Sequence, residues 1–104
     1  MRILVVNDDG IEAAGIIRLA ALAKELGEVW VVAPDAQCSA MSQRITVRGE
    51  LQLRKRADFP VEGVEAYSLS GTPADCVKVA VEYLMKDQLP DIVFSGINKG
   101  YNVG

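Results

Sequence analysis

The sequence predicts an α/β fold, a Rossmann-like three-layer sandwich in which helices cover both faces of a mostly parallel sheet. Two continuous apolar stretches, at 2–6 and 28–33, are typical of strands buried on both faces, and an amphipathic segment separates them. The same alternation of strand and helix returns after residue 60. With 104 residues, 50% of them apolar, the chain has the size and composition of one globular domain over residues 1–104.

The first helix is predicted over residues 13–26. Its apolar residues recur at the spacing of one helix face. They are Ile16, Leu19, Ala20, Ala23 and Leu26. Gly27 follows at the place where helices commonly end on a glycine.

The second helix has a nearly complete start signal. Thr72 is the predicted N-cap, Pro73 the first helical residue, and Asp75 lies near the third position. A strand is predicted before this helix, at 64–70, and another after it, at 91–96. The second half of the chain therefore repeats the pattern of the first.

The middle of the chain predicts a protruding antiparallel hairpin, because apolar and polar residues alternate on either side of Gly49. Basic residues follow one another along this segment. They are Arg44, Arg48, Arg54, Lys55 and Arg56. We interpret them as a solvated outer face, with the steering of an anionic ligand as the alternative.

Composition narrows the classes of function. The chain has no histidine, which removes Ser-His-Asp triads and imidazole zinc sites. A net charge of −3 argues against a general nucleic-acid-binding surface. No stretch is apolar enough to span a membrane, the first residues lack a secretory signal, and the two cysteines form no CxxC pattern. These features predict a cytoplasmic protein without nucleic-acid or membrane partners.

Polar loops follow the carboxyl ends of the predicted strands, where open parallel sheets bind ligands. Asp8 and Asp9 come directly after the first strand, and their mutual repulsion is relieved by solvation or by a cation. Carboxylate, hydroxyl and amide oxygens in these loops suit Mg²⁺ or Mn²⁺. The candidate ligands include Asp8, Asp9, Ser39, Thr72 and Asn98. The simpler alternatives are an acidic turn, a loop serine and a turn asparagine.

Other phosphate-binding and regulatory folds fit this first loop poorly. The segment NDDGIEAAG lacks the G-x-G-x-x-G pattern of dinucleotide-binding turns, and no Walker A loop is present. A receiver domain also has an acidic pair after its first strand. In this chain Asp35 and Lys99 would have to supply its other functional groups, and the intervening hairpin does not fit that fold.

Four segments, in order along the chain, resemble the SurE family of survival-protein-E nucleotidases. They are ILVVNDDGIEAAGI, VVAPDAQCSAMSQRIT, SGTPADCVKVA and DIVFSGINKGYNVG. The resemblance implies a metal-dependent phosphatase that acts on nucleoside 5′- and 3′-monophosphates and uses one divalent cation, Mg²⁺ or Mn²⁺. Chains of this family continue for at least as long again and form dimers or tetramers through that part. We therefore expect this chain to be the N-terminal portion of such a protein, without the oligomerising part.

The resemblance also implies roles for particular residues. The implied metal ligands are Asp8, Asp9, Ser39 and Asn98. Asp8 or Asp9 would position the attacking water or act as its base. The implied phosphate-binding residues are Asn7, Gly71, Thr72, Gly96 and Asn98. Cys38 stands before Ser39, where relatives often carry a basic residue. The alternative is a chain that binds metal and nucleotide without turnover.

Overall fold

The computed structural model describes residues 1–35, the backbone of residues 45–47, and residues 51–95. Within these ranges the strands are β1 (Arg2–Val6), β2 (Glu28–Pro34), β3 (Ile45–Val47), β4 (Leu51–Lys55), β5 (Glu65–Leu69) and β6 (Ile92–Ser95). The helices are α1 (Ala14–Lys24) and α2 (Pro73–Val79), and α2 continues into a π-helical turn over Ala80–Leu84. No helix within the described ranges has both the length and the apolar character that a membrane span needs.

All of these strands form one sheet in the order β3-β4-β5-β2-β1-β6. The neighbours β5, β2, β1 and β6 are parallel, whereas β4 is antiparallel to β3 and to β5. The predicted mostly parallel sheet and the hairpin are both confirmed. The hairpin continues the sheet through β4 and β5 and does not stand apart from it.

The sheet is covered on both faces, which confirms the three layers. On one face, Ile16, Ala20 and Ala23 of α1 pack against apolar side chains of β1 and β2. On the other face, Cys76 and Val79 of α2 join a second cluster. Each fully buried aliphatic side chain contributes roughly 1.5–3 kcal/mol, so the two clusters supply most of the stabilisation.

The end of the first helix differs from the prediction. The helix ends at Lys24, so Leu26 lies beyond it and is 59% exposed. Gly27 does not adopt the left-handed conformation; within the described ranges, Gly10 and Gly63 are the glycines with positive φ. A Cβ on Gly27 would instead overlap the carbonyl oxygen of Met1. Gly27 therefore allows a close approach of two chain segments and does not cap the helix.

The predicted start of the second helix is confirmed, with Thr72 as N-cap and Pro73 in the first turn. After Val79 the helix widens into a π-helical turn, in which the Met85 N–H donates to the Ala80 carbonyl oxygen at 2.7 Å. The Met85 side chain is then buried in the second apolar cluster.

The prediction of a solvated basic face is wrong for two of the described residues of the hairpin. Arg54 is 4% exposed and lies 4.0 Å from Asp35, and the Arg56 side chain is 11% exposed. Side-chain contacts account for the difference: Arg54 lies beside Asp35, and Arg56 is covered by its contacts with Glu12 and Asp58. Lys55, between them, points to the other face and stays largely exposed.

The burial of Cys76 generates a prediction. Burial raises the pKa of its thiol to about 12, and the nearby charge of Asp75 adds to this effect. We expect iodoacetamide at about pH 8 to leave Cys76 unmodified in the folded chain and to modify it in urea, since the thiolate is the reactive form. Mass spectrometry of a Cys38→Ser variant measures this. Modification at the same rate with and without urea would contradict the burial of Cys76.

The same shift in pKa predicts how stability changes in alkali. The unfolded chain loses the Cys76 proton near its ordinary pKa of 9.0, whereas the folded chain keeps it up to about 12. Stability should therefore fall as the pH rises from about 9 towards 12. A Cys76→Val variant, studied by urea unfolding over the same range, should lose this part of the pH dependence.

Candidate active site

The carboxyl ends of the four parallel strands meet at one edge of the sheet. Val6 pairs with Ser95, and Pro34 pairs with Leu69. The Asp35 N–H donates to the Leu69 carbonyl oxygen at 2.8 Å, so the segment after β2 starts beside the end of β5. This confirms that the predicted loops leave from a common edge.

Three of the predicted site residues, Ser39, Gly96 and Asn98, lie outside the described residues. The last described residues before them are Asp35 and Ser95, and both lie at this edge. The remaining predicted site residues are described, and all of them follow β1 or β5.

The turn after β1 is closed by a single buried amide. Asn7 is 2% exposed; its Nδ2 donates to the Gly10 carbonyl oxygen at 3.0 Å, and its Oδ1 accepts from the Gly10 N–H at 3.2 Å. Gly10 has a φ of 111°, which a residue with a Cβ rarely adopts. The next residue, Ile11, donates its N–H to the Pro34 carbonyl oxygen at 3.0 Å. The turn is thereby fixed at both ends.

Asp8 and Asp9 form the tip of this turn and are exposed. Two adjacent carboxylates repel each other, and a cation between them would remove that repulsion. Their hard oxygen donors fit Mg²⁺ or Mn²⁺, and Mg²⁺ is usually bound through one or two carboxylates together with water and phosphate. Within the described part of the chain, no cluster of three or more acidic, histidine or cysteine side chains could hold a metal ion. The described residues therefore offer a partial site of two carboxylates.

The Gly71–Thr72 turn is occupied by the cap of α2. Thr72 Oγ1 accepts from the Asp75 N–H at 3.1 Å, and the Thr72 N–H and hydroxyl both contact Asp75 Oδ2 at 3.0 Å. A Cβ on Gly71 would lie 2.8 Å from the same Oδ2. Thr72 and Gly71 are thus explained by the helix cap, and their contact with phosphate stays a prediction.

A residue that the sequence interpretation missed ties the acidic turn to the hairpin. Arg56 Nη2 lies 2.9 Å from Glu12 Oε2, and its Nε lies 3.4 Å from Asp58 Oδ1. Burial lowers the pKa of the Arg56 guanidinium, but hydrogen bonds and charge from Glu12 and Asp58 outweigh it, so the pKa is raised. The alternation within ELQLRKR carried the signal, because it puts Arg54 and Arg56 on one face.

The chain is similar in sequence to known proteins over nearly its whole length. Residues 3–104 match the sequence model of the family described as Survival protein SurE. The 5′-nucleotidase SurE of Alkaliphilus metalliredigens is 51% identical over 104 residues, which are 100% of this chain and 41% of the relative. The 5′-nucleotidase SurE of Cytophaga hutchinsonii is 52% identical over 100 residues, which are 96% of this chain and 38% of the relative.

The fold of the chain is also similar to that of a solved structure. The crystal structure of SurE protein from Aquifex aeolicus superposes with a TM-score of 0.74 at 38% identity, over 100% of this chain and 40% of that one. The chain thus spans about two fifths of the length of these relatives.

The Asn7 turn generates a second prediction. Asn7→Asp replaces the donor to the Gly10 carbonyl with a buried carboxylate oxygen, next to two other acids. We expect a loss of about 2–3 kcal/mol in the free energy of unfolding, measured with urea at neutral pH. Gln88→Glu makes the same chemical change at an exposed position and should alter stability by less than about 0.5 kcal/mol. Equal losses in the two variants would contradict the role assigned to Asn7.

Proposed function

We propose that this chain, which belongs to the Survival protein SurE family, carries the metal-binding and phosphate-binding loops of a nucleotidase. The reaction is metal-dependent hydrolysis of nucleoside 5′- and 3′-monophosphates to nucleoside and phosphate. Family membership supports the nucleotidase activity, since the matched relatives carry the name 5′-nucleotidase SurE.

One observation carries the proposal: the buried Asn7 amide holds Asp8 and Asp9 at the carboxyl end of β1, between the ends of β2 and β6. Ligands of open parallel sheets bind at this edge. The segments that contain Ser39 and Asn98 start from the two neighbouring strands.

We propose Asp8, Asp9, Ser39 and Asn98 as ligands of one Mg²⁺ or Mn²⁺. The support is chemical, since all four supply oxygen and two of them are adjacent carboxylates. A cation held by these residues would supply positive charge to the phosphoryl oxygens. Without it, Asp8 and Asp9 would repel the phosphate of the substrate, so the reaction depends on the metal.

The acidic pair also provides the base. One carboxylate of Asp8 or Asp9 takes a proton from the attacking water as the new bond to phosphorus forms. The bond from phosphorus to the ester oxygen breaks, and that oxygen takes a proton from solvent to become the hydroxyl of the nucleoside. We propose that backbone N–H groups hold the phosphate in place. The residues that we propose to contact the phosphate are Asn7, Gly71, Thr72, Gly96 and Asn98.

A second candidate function is metal and nucleotide binding without turnover. It is favoured by length, because the chain spans about two fifths of the matched relatives. Groups contributed by the rest of such a protein would then be needed for hydrolysis.

Activity measurements separate the two candidates. We expect the chain to release phosphate from AMP and GMP with Mn²⁺ or Mg²⁺ and to stop when EDTA is added. Asp8→Asn should lower kcat/KM by about 10²-fold or more, since it weakens the metal site and removes a candidate base. Asp87→Asn is the matched control, because Asp87 is an exposed acid before β6, at the opposite edge of the sheet, and should have no effect.

Calorimetry with Mn²⁺ completes this test. If the folded chain binds Mn²⁺ but releases no phosphate, and Asp8→Asn abolishes this binding, the result supports the second candidate, binding without turnover. Unchanged Mn²⁺ affinity in Asp8→Asn would contradict the proposed metal site.

A further inference from the structure

A cavity of about 230 Å³ opens beside the acidic turn. Its apolar wall consists of Ile11, Ile17, Phe59 and Pro60. Its rim is charged, with Glu12, Arg56 and Asp58. Apolar walls with a few convergent polar groups are typical of small-molecule sites, and the ring of Phe59 offers a surface on which a flat molecule can stack.

The charge of this rim selects what the cavity can hold. Glu12 and Asp58 contribute two carboxylates against the single guanidinium of Arg56. A phosphate group would be repelled by this net negative charge, whereas an uncharged nucleobase would not. The cavity therefore suits the base of a nucleotide and not its phosphate.

The rim is held in place by Arg56, which contacts Glu12 through Nη2 and Asp58 through Nε. Each contact uses one oxygen of its carboxylate, and the second oxygen of each can accept from a ligand. Arg56 Nη1 can donate at the same time. The Arg56 side chain is 11% exposed, whereas those of Glu12 and Asp58 are 61% and 77% exposed. Arg56 is therefore the fixed member of a set of two acceptors and one donor.

The cavity lies within reach of the acidic turn. Ile11 and Glu12, which line it, directly follow Asp8–Gly10 in the chain. Glu12 lies three positions after Asp9, so their Cα atoms are at most about 11 Å apart. A mononucleotide is long enough to place its phosphate at the acids and its base in the cavity.

A larger crevice of about 420 Å³ is less suitable. Its described lining lies between Lys55 and Ala66, and none of these residues adjoins the acidic turn in the chain. The lining of the smaller cavity includes the two residues that directly follow the acidic turn, one residue of α1 and the segment after β4.

We propose that the cavity formed by Ile11, Glu12, Ile17, Arg56 and Phe59 binds the nucleobase of the substrate and favours guanine. Carboxylate oxygens can accept from the N1–H and N2–H donors of guanine, and arginine commonly donates to its O6 and N7. Adenine lacks the O6 acceptor and the N1–H donor. The inference rests on the nucleotidase function proposed above and names its base-binding residues.

The experiment uses guanosine, which has no phosphate, titrated into the whole chain in EDTA. Guanosine should bind, and adenosine should bind about tenfold more weakly. Phe59→Leu and Glu12→Gln should each weaken guanosine binding by about tenfold, since one removes the stacking ring and the other an ionised acceptor.

Two variants serve as matched controls. Phe94→Leu changes a ring that packs on the same apolar cluster but does not line the cavity. Glu62→Gln changes an exposed acid of the larger crevice. Both should leave guanosine affinity unchanged, and circular dichroism checks that every variant is folded.

Guanosine that fails to bind at millimolar concentration, or cavity variants that behave like the controls, would overturn the base site. Guanosine binding that survives in a chain without metal-dependent phosphate release would leave the base site standing and contradict the nucleotidase function. Metal-dependent phosphate release without guanosine binding would support the nucleotidase function and contradict the base site.

Discussion

The two hydrogen bonds between the Asn7 amide and Gly10 are the constraint on which the candidate site depends. They satisfy a buried amide, accommodate the positive φ of Gly10, and close a turn that presents two carboxylates to solvent. Such a turn keeps Asp8 and Asp9 together despite their repulsion. The burial of the strand before the turn stabilises this arrangement, since the residues from Ile3 to Val6 are almost fully inaccessible to solvent.

The sheet connects this turn to the rest of the chain. Parallel pairing of β1 with β2 and β6 puts the ends of three strands side by side. Antiparallel pairing of β4 with β5 brings the buried arginines of the hairpin to the face that α1 covers. The ion pair between Arg56 and Glu12 then links the segment after β4 to the segment after the acidic turn.

Local rules predicted the parts of the fold that depend on neighbouring residues. The strand at β1 and the cap formed by Thr72 and Asp75 are examples, because burial runs and capping signals are short-range. Long-range contacts decided the rest. Gly27 is explained by Met1, 26 positions away in the sequence. The alternation in ELQLRKR indicates that Arg54 and Arg56 share a face, but the contact that covers Arg56 is with Glu12, 44 positions away, and no local pattern indicates that contact.

The most direct test of the central claim, one divalent cation held by the acidic turn, is paramagnetic broadening by Mn²⁺ of the amide signals of the ¹⁵N-labelled chain. At substoichiometric Mn²⁺ the account predicts that the signals of Asp8, Asp9 and Gly10 broaden first. The signals of Glu82 and Asp87, which lie at and after the π-helical turn, should stay sharp. Broadening that begins at Glu82 or Asp87, or that spreads evenly over all acidic residues, would contradict it.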